Sequence, residues 1–169
     1  MKTYTNEDLR NQRACYDPIR HFEEGKGHTL LDYLNHGTCP PKDKIWCVTR
    51  FLDDRSNRLF AVWCAREILK RTKNPHPISV KAVEVAERFA NGDADYCELR
   101  SANCDTYTID DSCFTYAAYC VTLDDITDDA YDAAAFAVDH AGRGSAHNER
   151  KKQIEKLKEE IKAGNWTEK

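Results

Sequence analysis

The stretch 58–94, RLFAVWCAREILKRTKNPHPISVKAVEVAERFANGDA, constrains the fold more than any other part of this chain. Leu59, Phe60, Val62, Trp63, Cys64, Ile68 and Leu69 cover more than half the circumference of a helix running from residue 56 or 57 to 70. A helix that is apolar nearly all round belongs at the centre of a packed domain. Asn74-Pro75-His76-Pro77 ends it, because proline lacks an amide proton and its ring clashes with a continuing turn. Ser79 is placed to cap or open a second helix, in which Ala82, Val83, Ala86, Phe89 and Ala90 recur at three- and four-residue steps. Lys81, Glu84, Glu87 and Arg88 take its other face, and Asn91-Gly92 closes it with the left-handed cap that glycine favours.

RLFAVWCAR followed by KAVEVAERFANGDA resembles a helical family of phage and bacterial genomes that is labelled as immunity proteins. In that family an Arg-Leu-Phe-Ala opening leads a Cys-bearing helix, a second helix follows, and a long alanine-rich helix comes next. The resemblance covers the middle third of the chain and rests on core-type residues, so it implies a helical fold. After Asp95 the chain departs from the family pattern, where Cys, Tyr, Thr and Asp interrupt the alanine run. By association it also implies a phage or prophage inhibitor.

The flanking sequence extends the helical reading. Thr5-Asn6-Glu7-Asp8 opens a short helix, and Asp17-Pro18 begins another that Gly25-Lys26-Gly27 ends. Residues 28–35 form a third, stopped by His36-Gly37. Cys39-Pro40-Pro41 opens a fourth, with Ile45, Trp46, Val48, Phe51 and Leu52. Further helices are expected over 94–105, 111–121, 125–140 and 148–163. Ile126, Ala130, Ala133, Ala134 and Ala137 make a small-residue stripe suited to close packing. The fold expected is all-α, a compact bundle of roughly seven to nine helices. Residues 1–141 form its helical domain, and 142–169 a flexible joint (Gly142-Arg143-Gly144) with a charged C-terminal helix. Ile154, Leu157 and Ile161 give that helix a narrow apolar stripe.

A chain of 169 residues buries a real core, and 41% hydrophobic with 32% charged residues argues against disorder. No apolar run approaches the ~20 residues of a membrane span. The N-terminus lacks the apolar segment of a secretion signal, so a bacterial cytosolic location is expected. There the eight cysteines are expected to be reduced, and several fall on apolar helix faces as small hydrophobes. No Cys-x-x-Cys pair exists, and the His36–Cys39 spacing has no second pair to complete a zinc site. No metal or cofactor is expected.

Charge is distributed very unevenly. Residues 91–139 hold 12 acids against one base, Arg100, whereas the flanks 1–90 and 140–169 are net basic. Asp124, Asp128 and Asp132 line up at four-residue steps, with Asp125 and Asp129 beside them, so like charges repel along one face. Asp110, Asp111, Asp124 and Asp125 also sit at helix starts, where carboxylates complement the dipole. Asp132 and the scarcity of lysine have no such account. The candidate partner-binding surface is therefore Asp110, Asp111, Asp124, Asp125, Asp128, Asp129 and Asp132.

The expected function is binding and neutralising a protein with a basic, nucleic-acid-handling site, such as a nuclease, toxin or defence complex. A scaffold that self-associates through the C-terminal helix is the alternative, and a small metal- or cysteine-dependent enzyme the second. Asp139-His140 with a cysteine could supply nucleophile chemistry, but no local signature selects it. Arg50, Arg55, Arg58, Arg66, Lys70, Arg71 and Lys73 make the first half basic, yet the acidic segment disfavours direct nucleic-acid binding.

Overall fold

Helices begin where a side chain can accept hydrogen bonds from the first free amides. Thr5 and Asp8 form a reciprocal capping box that opens α1 (Asn6–Asn11), and Thr29 with Asp32 repeats it at α2 (Leu30–Asn35). Helix α3 (Pro41–Phe51) opens on proline, whose missing N–H would be unpaired in a first turn anyway. Asp53 caps α4 (Asp54–Leu69), and His76 accepts from the Ile78 N–H at the start of α5 (Pro77–Asn91). Asp95 and Glu98 make a third capping box at α6 (Tyr96–Thr106). Helices α7 (Ile126–Ala141) and α8 (Ala146–Ala163) follow. The computed structural model describes residues 2–14, 20–108, 118–123, 126–141 and 145–169. Among them the chain is an all-α bundle of these eight helices, with no strand beyond two isolated bridges, Tyr4–His28 and Leu52–Glu168.

Several boundaries differ from expectation for local reasons. Helix α5 starts at Pro77 under the His76 cap, and Ser79 is fully buried inside it. Helix α4 starts earlier because Asp53 accepts from the Ser56 N–H at 2.7 Å. The Asp17-Pro18 start lies outside the described residues. Residues 20–27 hold no α-helix; they turn through Gly25 at φ +71°, and Phe22 enters the core edge-on to Tyr33 at 4.7 Å. Of the helix expected over 111–121, only 118–121 is described, and 118–120 is helical. Gly92 closes α5 at φ +82°, as its sequence position predicts.

Helix α4 lies at the centre. Phe60, Ala61, Cys64, Ala65 and Ile68 are buried on it, and its most extensive helix contact is with α7. The α7 face that meets the core is Ile126, Ala130, Ala133, Ala134 and Ala137, all buried. Alanine there lets the backbones approach closely, which a larger side chain would prevent. Helix α5 packs on α4 and carries α6 on its other side. Helices α3 and α8 close the remaining flank of α7 and α2 packs on both of them, with Ile154 and Leu157 of α8 in the same hydrophobic cluster as α4. The tail after α8 straps back: Trp166 meets Phe60 edge-on at 5.9 Å, and the Thr167 N–H donates to Ser56 Oγ at 2.8 Å.

Arg58 is the least expected core member. Only 4% exposed, it donates to the carbonyls of Val121 at 2.6 Å and Leu123 at 2.9 Å and stacks over Phe89. One guanidinium thus ties α4 to α5 and to residues 118–123. Substituting Ala133→Leu overfills the α7 core face and should cost about 1–3 kcal/mol by urea denaturation.

The rings of His21, His28 and His36 surround Phe22 at 6.2, 5.4 and 4.8 Å. Burial, then the charges of His21, His28 and Lys44, hold His36 below its ordinary pKa; burial and Arg71 do the same to His140. The unfolded chain therefore takes up these protons first. Their contribution to stability is complete above pH 6.5 and is lost as pH falls below it. Asp32, Asp53 and Glu160 are held low by hydrogen bonds, so their contribution fades only below the ordinary carboxylate range. The urea midpoint should fall between pH 7.5 and 5.5, and His36→Gln should flatten that fall.

Candidate interaction surface

Helix α7 places its carboxylates on the side away from its alanine stripe, because a period of 3.6 residues sets 128 and 132 opposite 130, 133, 134 and 137. Asp128 is exposed and ion-pairs with Arg50 of α3. Arg50 is itself only 14% exposed in its side chain and lies over the Trp46 ring at 4.9 Å. Asp132 is half-buried beside this pair. Burial, then the Asp128 charge, push its carboxyl above the ordinary aspartate value, with Arg50 opposing. Asp129 is also half-buried, and both it and Asp132 bear electrostatically on the buried Cys120 thiol. The remaining four predicted residues, Asp110, Asp111, Asp124 and Asp125, lie outside the described residues.

Elsewhere in the acidic segment, carboxylates are met by bases from α5. Arg88 pairs with Glu98 and Lys81 with Asp105, each at 3.2 Å. Asp93, Asp95 and Asp139 are exposed.

The basic half is similarly engaged. Arg66 pairs with Glu87, Lys70 with Glu67, and Arg71 with Glu149 and Glu67. Arg55 donates to the Asn165 carbonyl and to Asn91 Oδ1, and Arg58 is buried. The arginines that read as a basic patch thus point into the fold's own acceptors. A groove of about 330 Å³ between α4, α8 and the tail is walled by Trp63, Trp166, Arg55, Arg66 and Lys156, with Glu87 and Glu160 on its rim.

Burial raises the Cys39 thiol to about 12 and holds Cys64 and Cys120 well above the ordinary thiol value, so these three sulfurs stay protonated, whereas Cys97 and Cys104 are exposed. His140 lines a polar cleft with Arg71, Ser145, Asn148, Glu149 and Lys152, in which no thiol takes part. Among the described residues no group of three or more His, Cys, Asp or Glu is arranged to hold a metal ion.

Two features escaped sequence reading. Cys97 and Cys104 are exposed on α6, and Tyr96 and Tyr107 are the exposed large hydrophobics among the described residues, at 47% and 68%. The seven-residue Cys spacing, opposite Leu99, Ala102 and Thr106, was the available signal. No protein family, curated protein or solved structure matches the chain.

Asp132→Asn removes a carboxylate that the fold holds above its ordinary pKa. The wild type is therefore penalised above that folded value, and the penalty is relieved as pH falls through it. The variant should melt higher than wild type at pH 7.5, with the difference shrinking towards pH 4.

Proposed function

We propose that this chain is a binding protein that neutralises a partner with a basic, nucleic-acid-handling surface, as a phage-type inhibitor or antitoxin would. The observation that carries this is the charge of residues 91–139, in which Arg100 is the sole base. Asp128, in its ion pair with Arg50, and Asp139 are exposed on α7, and Asp93 and Asp95 in the turn before α6. Carboxylates fixed on helices lose little entropy on pairing with a cationic groove. Their summed field steers the encounter from beyond contact distance, and salt weakens it.

The alternatives gain less from the geometry. Ile154 and Leu157 of α8 are spent inside the bundle and are not available for self-association through the C-terminal helix. Arg58 and Arg66 of α4, and Arg71 just beyond it, are engaged within the chain, so the basic first half is not an open row of arginines for nucleic acid. No helix among the described residues is long and apolar enough to cross a membrane.

The test is affinity capture from nuclease-treated bacterial lysate, with an Asp128→Asn, Asp129→Asn, Asp132→Asn variant run alongside. A nuclease or nucleic-acid-binding protein should be retained at low salt, released by added salt and lost with the variant. Failure to retain any such protein, or retention indifferent to both salt and the substitutions, would overturn the acidic-surface proposal.

A further inference from the structure

We propose that the groove between α4, α8 and the tail is a small-molecule site for an aromatic monoanion, whose ring lies against Trp63 and Trp166 and whose acid group meets Arg55. This site is separate from the acidic surface on which the neutraliser proposal rests.

The groove exists because α4 is apolar on more sides than its neighbours cover. Arg55, Leu59, Val62, Trp63 and Arg66 fall at i, i+4, i+7, i+8 and i+11, which is one stripe of that helix. Helix α5 borders the stripe on one side through Glu87, and α8 with the tail borders it on the other. Val62 and Trp166 are buried, whereas Leu59 and Trp63 stay partly exposed. The space above them is about 330 Å³, at the lower end of the range for small-molecule sites.

The aromatic walls favour a flat ligand. Trp63 lies nearly parallel to Phe60, at 9°, and Trp166 stands at 68° to the same ring, so the two indoles are steeply inclined to each other. A planar ring can therefore stack on one and meet the other edge-on, the two arrangements that aromatic pairs prefer. Both indoles rest on Phe60, which is fully buried, so the walls are in place before anything binds. Helical side chains lean towards the N-terminus, which carries the Trp63 indole over the turn nearer Arg55.

Charge then selects a monoanion. Of the five charged side chains that line the groove, four are paired, Arg66 with Glu87 and Lys156 with Glu160. Hydrogen bonds from Lys156 and Asn165 hold the Glu160 carboxyl below its ordinary pKa, which keeps it ionised and occupied. Arg55 has neutral acceptors, the Asn165 carbonyl at 3.2 Å and Asn91 Oδ1 at 3.3 Å, and no carboxylate pairs with it among the described residues. The bond to Asn165 places the guanidinium beside Trp166, the next residue in the chain, at the edge of the aromatic walls. An acid group can take over these donors, because charge-assisted hydrogen bonds are roughly twice as strong as neutral ones. A dianion would also face Glu87 and Glu160, and an uncharged ring would leave Arg55 without a counter-ion.

The experiment uses anilinonaphthalenesulfonate, which joins fused rings to one sulfonate and brightens in an apolar site. Titrated into the full chain, it should saturate at one molecule per chain, with energy transfer from tryptophan. Naphthoate should displace it, whereas naphthalenemethanol, which has the same ring without the charge, should compete about tenfold less well. With Arg55→Gln the probe should bind about tenfold more weakly, and the acid and the alcohol should compete equally. Leu59→Glu, which adds a third carboxylate to the groove, should abolish probe binding while near-UV circular dichroism keeps its wild-type form. The acid–alcohol comparison on the wild type tests the charge requirement without any substitution. Absence of saturable binding, equal competition by acid and alcohol on the wild type, or affinity indifferent to Arg55→Gln would overturn the proposal.

Discussion

Helix α4 carries apolar side chains around most of its circumference, and the other elements are placed by what must cover it. Phe60, Cys64 and Ile68 reach no water, and α7 achieves this by presenting alanine at four consecutive core positions, 130, 133, 134 and 137. The trade is volume for proximity, since small residues bring the two backbones together and pack without voids. Trp166 closes another flank of the same helix against Phe60, which brings the end of the chain into its central packing.

Arg58 sits where such a core leaves backbone carbonyls needing donors. Residues 118–123 come off a short helical turn, and the carbonyls of Val121 and Leu123 point inward. A planar guanidinium with several fixed donors satisfies both and still offers a face to Phe89, which lysine could not do. The arginine at the head of the central motif is thus a structural tie between three parts of the fold.

Charge follows a parallel logic. Bases from α3 and α5 reach into the acidic segment and neutralise Asp128, Glu98 and Asp105, which limits the repulsion that a run of aspartates would impose. Asp132 escapes this and titrates upward, a local cost that packing alone does not require. The segment consequently keeps Asp93, Asp95 and Asp139 exposed, while the carboxylates of α6 are drawn aside towards α5.

Much of the architecture was legible in the residues. Apolar periodicity located the central pair, the alanine stripe identified the core face of α7, and Gly92 and Thr5 announced their caps, because these signals act within one helical turn. His76 displaced Ser79 as the cap of α5 because a preceding ring nitrogen could reach the Ile78 amide first. The uneven charge was equally plain, but its meaning was not. Which arginines are buried, which carboxylates α5 neutralises and which thiols face outward depend on how helices distant in sequence come together. Composition and periodicity therefore determined that this chain is helical, with α4 inside and an acidic segment beyond it. Tertiary packing alone decided that Arg58 is core, that Asp128 is paired and that Cys97 and Cys104 share an open ridge, because exposure belongs to a neighbourhood and no local pattern carries it.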